Sequence, residues 1–104
     1  MPTVDDVFAA VANPHRRRLL DLLLDQPQSV SSLAARFDMQ RPSVSEHLKI
    51  LKDAGLVEEE RHGRERIYHV EAAQLQPLAD WLSPYEVFWR DTLKDLREHL
   101  DRNP

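Results

Sequence analysis

The sequence predicts a mainly helical fold with one small β-hairpin, and three observations lead to this prediction. Apolar residues recur at three- and four-residue steps over most of the chain, which is the spacing of one helix face. Two short segments flank His62-Gly63-Arg64, and a polar triplet with a central glycine is typical of a hairpin tip. The order helix, turn, helix and hairpin over residues 29–70 is that of a winged helix-turn-helix.

Length and composition exclude several classes of protein. The 104 residues predict a single domain spanning residues 1–104. The chain has no cysteine, which excludes disulfides and thiolate sites and is compatible with the cytoplasm. We expect no signal peptide and no membrane partner, because the N-terminus is acidic and no apolar run approaches ~20 residues. Phosphate-binding loops and nucleophile or zinc-protease motifs are missing, so the sequence predicts neither an enzyme nor a cofactor.

The N-terminal part predicts two helices. The first covers about residues 4–12, where Val4, Val7, Phe8 and Val11 follow helical spacing. Asn13 followed by Pro14 is a strong start for the second, because asparagine caps a helix and proline suits its first position. Leucines between residues 19 and 24 place this helix at the centre of the core, and residues 26–28 end it.

The helix-turn-helix is predicted at about residues 31–54. Val30 is placed in a single short strand, and Ser31 is expected to cap the third helix. A polar turn at residues 38–40 separates it from the fourth helix, which Gly55 ends. Residues four and three apart form the buried stripe of the fourth helix, and these are Val44, Leu48 and Leu51.

The wing and the tail complete the predicted order α-α-(β)-α-α-β-β-α(-α). The wing covers about residues 56–70, with strands at 56–61 and 65–70. Helical spacing returns over about residues 73–101, where Ser83-Pro84 either starts a new helix or kinks a single one. One face of this tail is so apolar that it must pack on the body, on another chain or on both.

The net charge of −4 is unusual for a DNA-binding protein, but its distribution matters more than its total. Residues 41–66 carry six basic and six acidic groups, whereas residues 67–104 carry four and seven. The acidic excess therefore lies towards the C-terminus, and affinity for phosphate depends on the local face.

A recognition surface follows from the buried stripe, because it fixes which side chains of the fourth helix point outwards. Arginine suits guanine, glutamine suits adenine, serine contacts bases or phosphate, and the lysines position the helix on the backbone. The arginines of the hairpin suit a phosphate backbone or a minor groove. The predicted DNA-contacting residues are Gln40, Arg41, Ser43, Ser45, Glu46, His47, Lys49, Lys52, Arg61, His62, Arg64 and Arg66.

Some of these residues have alternative interpretations. Glu46 either accepts from a cytosine amine or repels phosphate. For His47 a packed, hydrogen-bonded role competes with phosphate contact, and His62 is expected to be solvated. Residues 16–18 are three consecutive arginines, which could clamp a phosphate. We favour a structural role, in which one arginine is exposed and the others pair with carboxylates on neighbouring helices.

These residues also resemble those of a known family. The matching stretches are residues 8–20 (FAAVANPHRRRLL), 43–57 (SVSEHLKILKDAGLV) and 63–68 (GRERIY). The chain resembles the ArsR family of small bacterial winged-helix repressors, and its tail is similar to that of a metal-independent branch. The resemblance implies a homodimer built on the first and last helices that binds a near-palindromic operator. The implied dimer interface comprises Val4, Val7, Phe8, Val11, Trp81, Tyr85, Phe88, Trp89, Leu93, Leu96 and Leu100.

The sequence departs from the metal chemistry of that family. Founding members sense soft metals through cysteines, and another branch holds zinc through Asp-x-His and His-x-x-Glu, neither of which occurs here; the tail has only His99. We therefore expect no metal site and leave the effector open. The alternatives are a winged-helix protein-interaction module that does not bind DNA, and a repressor that senses a small molecule or, through histidine, a metal. The tail aromatics form an effector pocket or, more simply, pack in the core and dimer.

Overall fold

The computed structural model describes residues 2–102, with the side chain of Arg102 outside the described part. The elements in chain order are α1 (Val4–Val11), α2 (Pro14–Asp25), β1 (Gln28–Ser29), α3 (Val30–Ala34), α4 (Arg41–Asp53), β2 (Val57–His62), β3 (Glu65–Val70), a 3₁₀ turn (Ala72–Leu75) and α5 (Gln76–Arg102). This order confirms the predicted mainly helical fold with a hairpin wing.

The first two helices begin where their side chains can cap them. Thr3 and Asp6 form a capping box, in which each side chain accepts from the backbone N–H of the other residue, at 3.1 Å and 2.8 Å. The hydrogen bond from the backbone N–H of Thr3, followed by one from its side chain, lowers the pKa of Asp6. Asn13 Oδ1 accepts from the N–H groups of His15 and Arg16, and Pro14 occupies the first helical position, as predicted.

The start of α3 differs from the prediction. Its cap is Ser29, whose hydroxyl accepts from Ser32 N at 3.1 Å, so the predictions of Ser31 as cap and Val30 as strand are wrong. The physical reason is the buried side chain of Gln28, which donates to the carbonyl of Leu22 at 2.9 Å and accepts from the Ser32 hydroxyl at 2.9 Å. These bonds hold the chain against the sheet two residues earlier than expected.

The sheet has three antiparallel strands in the order β1-β3-β2. The hairpin pairs His62 with Glu65, so its tip is the two residues Gly63-Arg64 and not the expected three. Gly63 has φ 63°, and a glycine with positive φ at the first central position is what a type II′ turn requires. This turn matches the twist of the flanking strands, and it places Arg64 at the outermost point of the wing.

The core lies between α2, α3, α4 and the inner face of the sheet. The predicted stripe of α4 is fully buried within it, together with Leu33, Leu56 and Val57. Helix α4 ends in a Schellman motif. The N–H of Gly55 donates to the carbonyl of Lys52 at 2.9 Å, and the N–H of Leu56 donates to the carbonyl of Leu51 at 2.9 Å. Gly55 has the required positive φ of 78°. The recognition helix is thereby fixed at its C-terminal end.

The tail forms one continuous helix of 27 residues, α5, with Pro84 inside it. Pro84 has no N–H to donate to the carbonyl of Asp80, and the helix continues through it without that hydrogen bond. Helix α1 packs against the start of α5, where the rings of Phe8 and Trp81 meet edge to face with centroids 5.7 Å apart. No helix within residues 2–102 is long and apolar enough to cross a membrane.

Candidate nucleic-acid interface

The outer face of α4 carries the predicted recognition side chains other than His47, and these are exposed. Gln40 is the N-cap residue and makes no side-chain capping hydrogen bond, so its amide stays available. The exposed residues that follow it along the helix are Arg41, Ser43, Ser45, Glu46, Lys49 and Lys52. The sequence predicted this face because the buried stripe packs on the core, which leaves the side chains on the opposite side of the helix facing solvent.

A groove between α4 and the wing brings the two predicted elements together. A cleft of 320 Å³ has Ser45, Lys49 and Lys52 on one side and Glu59, Arg66 and Tyr68 on the other, with Val30 at its floor. A second cleft of 220 Å³ lies between Arg41 and the hairpin residues Arg64, Glu65 and Arg66, and touches residues 29–31. Half of the predicted DNA-contacting residues therefore line one surface.

The hairpin separates its charges between two faces. Alternation along a strand puts Glu59, Arg61, Arg66 and Tyr68 on the face towards α4, since cross-strand partners share a face. Glu58 and Glu60 of β2 lie on the other face, together with Glu65 of β3, which also lines the second cleft. The local field of the groove is therefore more basic than the neutral sum over residues 41–66.

His62 lies on that second face and pairs with Glu60, with Nε2 3.3 Å from Oε2. This face is the one away from the groove, and the side chains of His62 and Glu60 are both well exposed to solvent. Arg61 is on the groove face, directly opposite Arg66 in the strand pairing. Two neighbouring like charges in that register repel each other, which favours an anion beside them.

Glu59 is the groove residue that the sequence did not single out. Its Oε1 accepts from Lys52 Nζ at 2.8 Å, and its Oε2 lies 3.8 Å from Arg66 Nη1. The hydrogen bond from Lys52 is the main reason that the pKa of Glu59 is lowered, and the Tyr68 hydroxyl adds to it. Burial first, and then Glu59, raises the pKa of Tyr68. Two predicted DNA-contacting cations thus share one carboxylate within the protein.

His47 is turned towards the protein body. Its Nδ1 lies 3.4 Å from Arg16 Nη1, and its ring centroid is 5.6 Å from that of His15. Burial is the main cause of the lowered pKa of His47, followed by the charges of Arg16 and His15. The neutral imidazole can accept from Arg16, so the packed interpretation of His47 has structural support and its contact with DNA stays a prediction.

The three consecutive arginines bind carbonyls and a ring within the described residues, so the predicted pairing with carboxylates is wrong. Arg16 donates to the carbonyls of Ala10 at 2.6 Å and Ala9 at 3.2 Å, and Arg17 donates to that of Val11 at 2.9 Å. Arg18 lies over the ring of Phe37, 5.4 Å from its centroid. Helix α1 has no basic residue in its last turn, so its terminal carbonyls take donors from α2.

The burial of His47, together with its contact with Arg16, predicts a pH dependence of stability. The pKa of His47 is lowered from 6.5 in the folded protein. The unfolded chain therefore binds the proton more readily, and stability is lost as the pH falls below about 6.5. We expect wild type to lose more unfolding free energy than His47→Gln between about pH 8 and pH 5. Urea unfolding across this range measures the difference, and parallel curves would contradict the prediction.

The predicted dimer residues fall into two sets. Val7 is buried in its own chain, and Phe8 and Val11 are half-buried. The others are exposed: Val4 lies on α1, and a stripe on α5 comprises Trp81, Tyr85, Phe88, Trp89, Leu93, Leu96 and Leu100. So large an apolar stripe on a small protein indicates a protein contact. Among residues 2–102, no group of three or more histidine and carboxylate side chains is arranged to hold a metal.

A polar recognition helix beside a basic hairpin, on a helical body, defines a winged helix-turn-helix protein. Residues 13–59 match the profile described as "Bacterial regulatory protein, arsR family". The chain is 34% identical to the transcriptional repressor SdpR of Bacillus subtilis over 76% of this chain and 88% of that protein. The chain therefore belongs to the arsR family and is a winged helix-turn-helix transcriptional regulator.

Solved structures agree with this assignment. An ArsR-like transcriptional regulator from Rhodococcus sp. RHA1 superposes with a TM-score of 0.74 at 32% identity, covering 97% of this chain and 93% of that one. The domain of Mb0332 from Mycobacterium bovis, described as a homodimeric winged helix-turn-helix DNA-binding domain, gives a TM-score of 0.65 at 29% identity, covering 88% and 82%. The predicted resemblance to the ArsR family is confirmed.

Proposed function

We propose that this chain is a single-domain, homodimeric transcriptional repressor that binds a near-palindromic operator. One observation carries the proposal: four side chains of the exposed face of α4 and two arginines of the wing line two clefts that share Arg66, and these residues are Arg41, Ser45, Lys49, Lys52, Arg64 and Arg66. That arrangement presents base-reading and phosphate-binding groups to one duplex. SdpR, named a repressor, and the Mb0332 domain, named homodimeric and DNA-binding, support the same function.

The side chains divide by role. Near the start of α4, Gln40, Arg41 and Ser45 are placed to meet base edges in the major groove. Lys49 lies further along the helix and fixes its position on the phosphate backbone. Arg64, at the tip of the hairpin, reaches the next stretch of backbone or the minor groove. Ser43 and Glu46 complete the exposed face that DNA meets.

A dimer would place two such surfaces on one duplex. The exposed stripe of α5, joined by residues of α1, supplies the apolar surface that a second copy can bury. The two half-sites should then lie one helical turn, about 10 bp, or a multiple of it apart. A regulator of this kind acts on the chromosome, so a cytoplasmic location follows from the proposed function. The proposal requires no cofactor and no enzymatic step.

The proposal is tested by Arg64→Ala. Removing the cation at the wing tip should weaken binding to all DNA sequences alike, because phosphate contacts carry no sequence information. The slope of log affinity against log salt should become shallower by about 0.9 for each phosphate that the variant no longer neutralises. Fluorescence anisotropy with two unrelated duplexes, at several salt concentrations, measures both effects.

The matched control is Arg97→Ala, which removes the same charge from an exposed position near the far end of α5. It should leave the salt slope unchanged. If Arg64→Ala binds as tightly as wild type, or if its effect equals that of Arg97→Ala, the wing does not contact DNA as proposed.

A further inference from the structure

Three charged side chains join the recognition helix to the wing. Lys52 lies in the last turn of α4, Glu59 in β2 and Arg66 in β3, and the carboxylate bridges the two cations. The side chain of Glu59 is 22% exposed, whereas those of Lys52 and Arg66 are 43% and 63% exposed. The Glu59 carboxylate is therefore more deeply buried than the two cations, which remain exposed to the groove.

The network lies where the DNA backbone would approach. The cleft that contains Lys52, Glu59 and Arg66 also contains Ser45 and Lys49 of the recognition face. Ammonium and guanidinium groups bind carboxylate and phosphate oxygens through the same charge-assisted hydrogen bonds. The Glu59 carboxylate thus already occupies donors that a phosphate at this point would use, and its own charge repels that phosphate.

We propose that Glu59 is an intramolecular substitute for a DNA phosphate, which holds Lys52 and Arg66 in the free protein and thereby lowers affinity for DNA. The inference rests on the proposed function and deepens it. The competition involves phosphate, which is the same in every sequence, so Glu59 sets the overall affinity and not the choice of operator.

A contrasting role for Glu59 is to position the two cations for DNA. The two roles differ in sign: removing a competitor strengthens binding, whereas removing a positioning group weakens it. The geometry favours competition. Glu59 Oε1 accepts a hydrogen bond from the Lys52 ammonium at 2.8 Å, and the carboxylate charge lies inside the cleft itself.

The test is Glu59→Gln, which keeps the shape of the side chain and removes its charge. We expect each protomer to neutralise one additional phosphate, so that the dimer neutralises two, which steepens the salt slope by about 1.8 and raises affinity about 30-fold at ~0.15 M salt. Anisotropy titrations of the full chain use a duplex selected for tight binding and an unrelated duplex of equal length. The ratio of the two affinities should stay as in wild type.

The matched control is Glu58→Gln, the same substitution at the preceding residue, on the opposite face of the strand. It changes the net charge equally but should alter affinity less than about twofold, because solvent and salt screen that face. Thermal unfolding checks that both variants are folded.

A second variant separates competition from a general charge effect. In a Lys52→Gln background, the gain produced by Glu59→Gln should shrink, because one of the two cations to be released is absent. An undiminished gain would contradict the proposed competition for Lys52.

The outcomes distinguish this inference from the proposed function. If wild type binds DNA and Glu59→Gln binds equally or more weakly, Glu59 is not a phosphate substitute, although the protein is a DNA-binding regulator. Equal gains for Glu58→Gln and Glu59→Gln would also overturn the inference. If wild type and both variants fail to bind any duplex at low salt, the proposed function itself is wrong.

Discussion

Phe88→Glu is expected to convert the protein to a monomer and to lower its affinity for operator DNA by about 100-fold or more. Phe88 is 76% exposed at the centre of the apolar stripe on α5. A second copy that covers the stripe would bury this residue, and a buried unpaired carboxylate is strongly unfavourable. A monomer then lacks the gain in affinity that comes from linking two half-site contacts. Light scattering coupled to gel filtration gives the mass, and anisotropy gives the affinity.

Val87→Glu is the matched control for this experiment. Val87 is also an exposed apolar residue of α5, at 62% exposure, but at about 100° per residue it lies on the side of the helix opposite the middle of the stripe. This variant should remain a dimer and bind as wild type does. If Phe88→Glu stays dimeric with unchanged affinity, the stripe is not the dimer interface.

Leu48→Ala is expected to destabilise the protein by about 2–5 kcal/mol. Leu48 is fully buried in the middle of α4, where it holds the recognition helix on the core. Truncation removes its apolar packing and leaves a cavity that the surrounding side chains fill only partly. Urea unfolding measures the decrease in stability, at matched protomer concentration because dimerisation adds to apparent stability.

Leu24→Ala is the control, since it makes the same substitution at a leucine that is 73% exposed. We expect a change within about 0.5 kcal/mol, as for surface positions generally. Equal destabilisation by the two substitutions would show that α4 is not held by its buried stripe.

The features predicted correctly are those that nearby residues determine. Asn13 and Pro14 define the start of α2 without help from distant elements, and Gly55 defines the end of α4 in the same way. The spacing of Val44, Leu48 and Leu51 gives the buried side of α4, and with it the exposed side. The sequence left open whether Ser83-Pro84 divides the tail, because this depends on packing. In the structure, α5 continues through Pro84.

The features that were missed depend on contacts between distant parts of the chain. The position of β1 follows from Gln28 bonding to Leu22 and from pairing with β3, about forty residues further on. The role of Arg16 follows from where α1 ends beside α2. Glu59 could be distinguished from Glu58 only once the register of the hairpin was known, because one step along a strand reverses the face.

The most direct test of the DNA-binding function is selection of fragments from the host genome by the purified protein. At ~0.15 M salt and with competitor DNA, we expect a small set of enriched fragments that share an inverted repeat, with half-sites about 10 bp or a multiple of it apart. The fragment upstream of the gene for this protein should be tested among them. Failure of the folded dimer to enrich any fragment, even at low salt, would contradict the account.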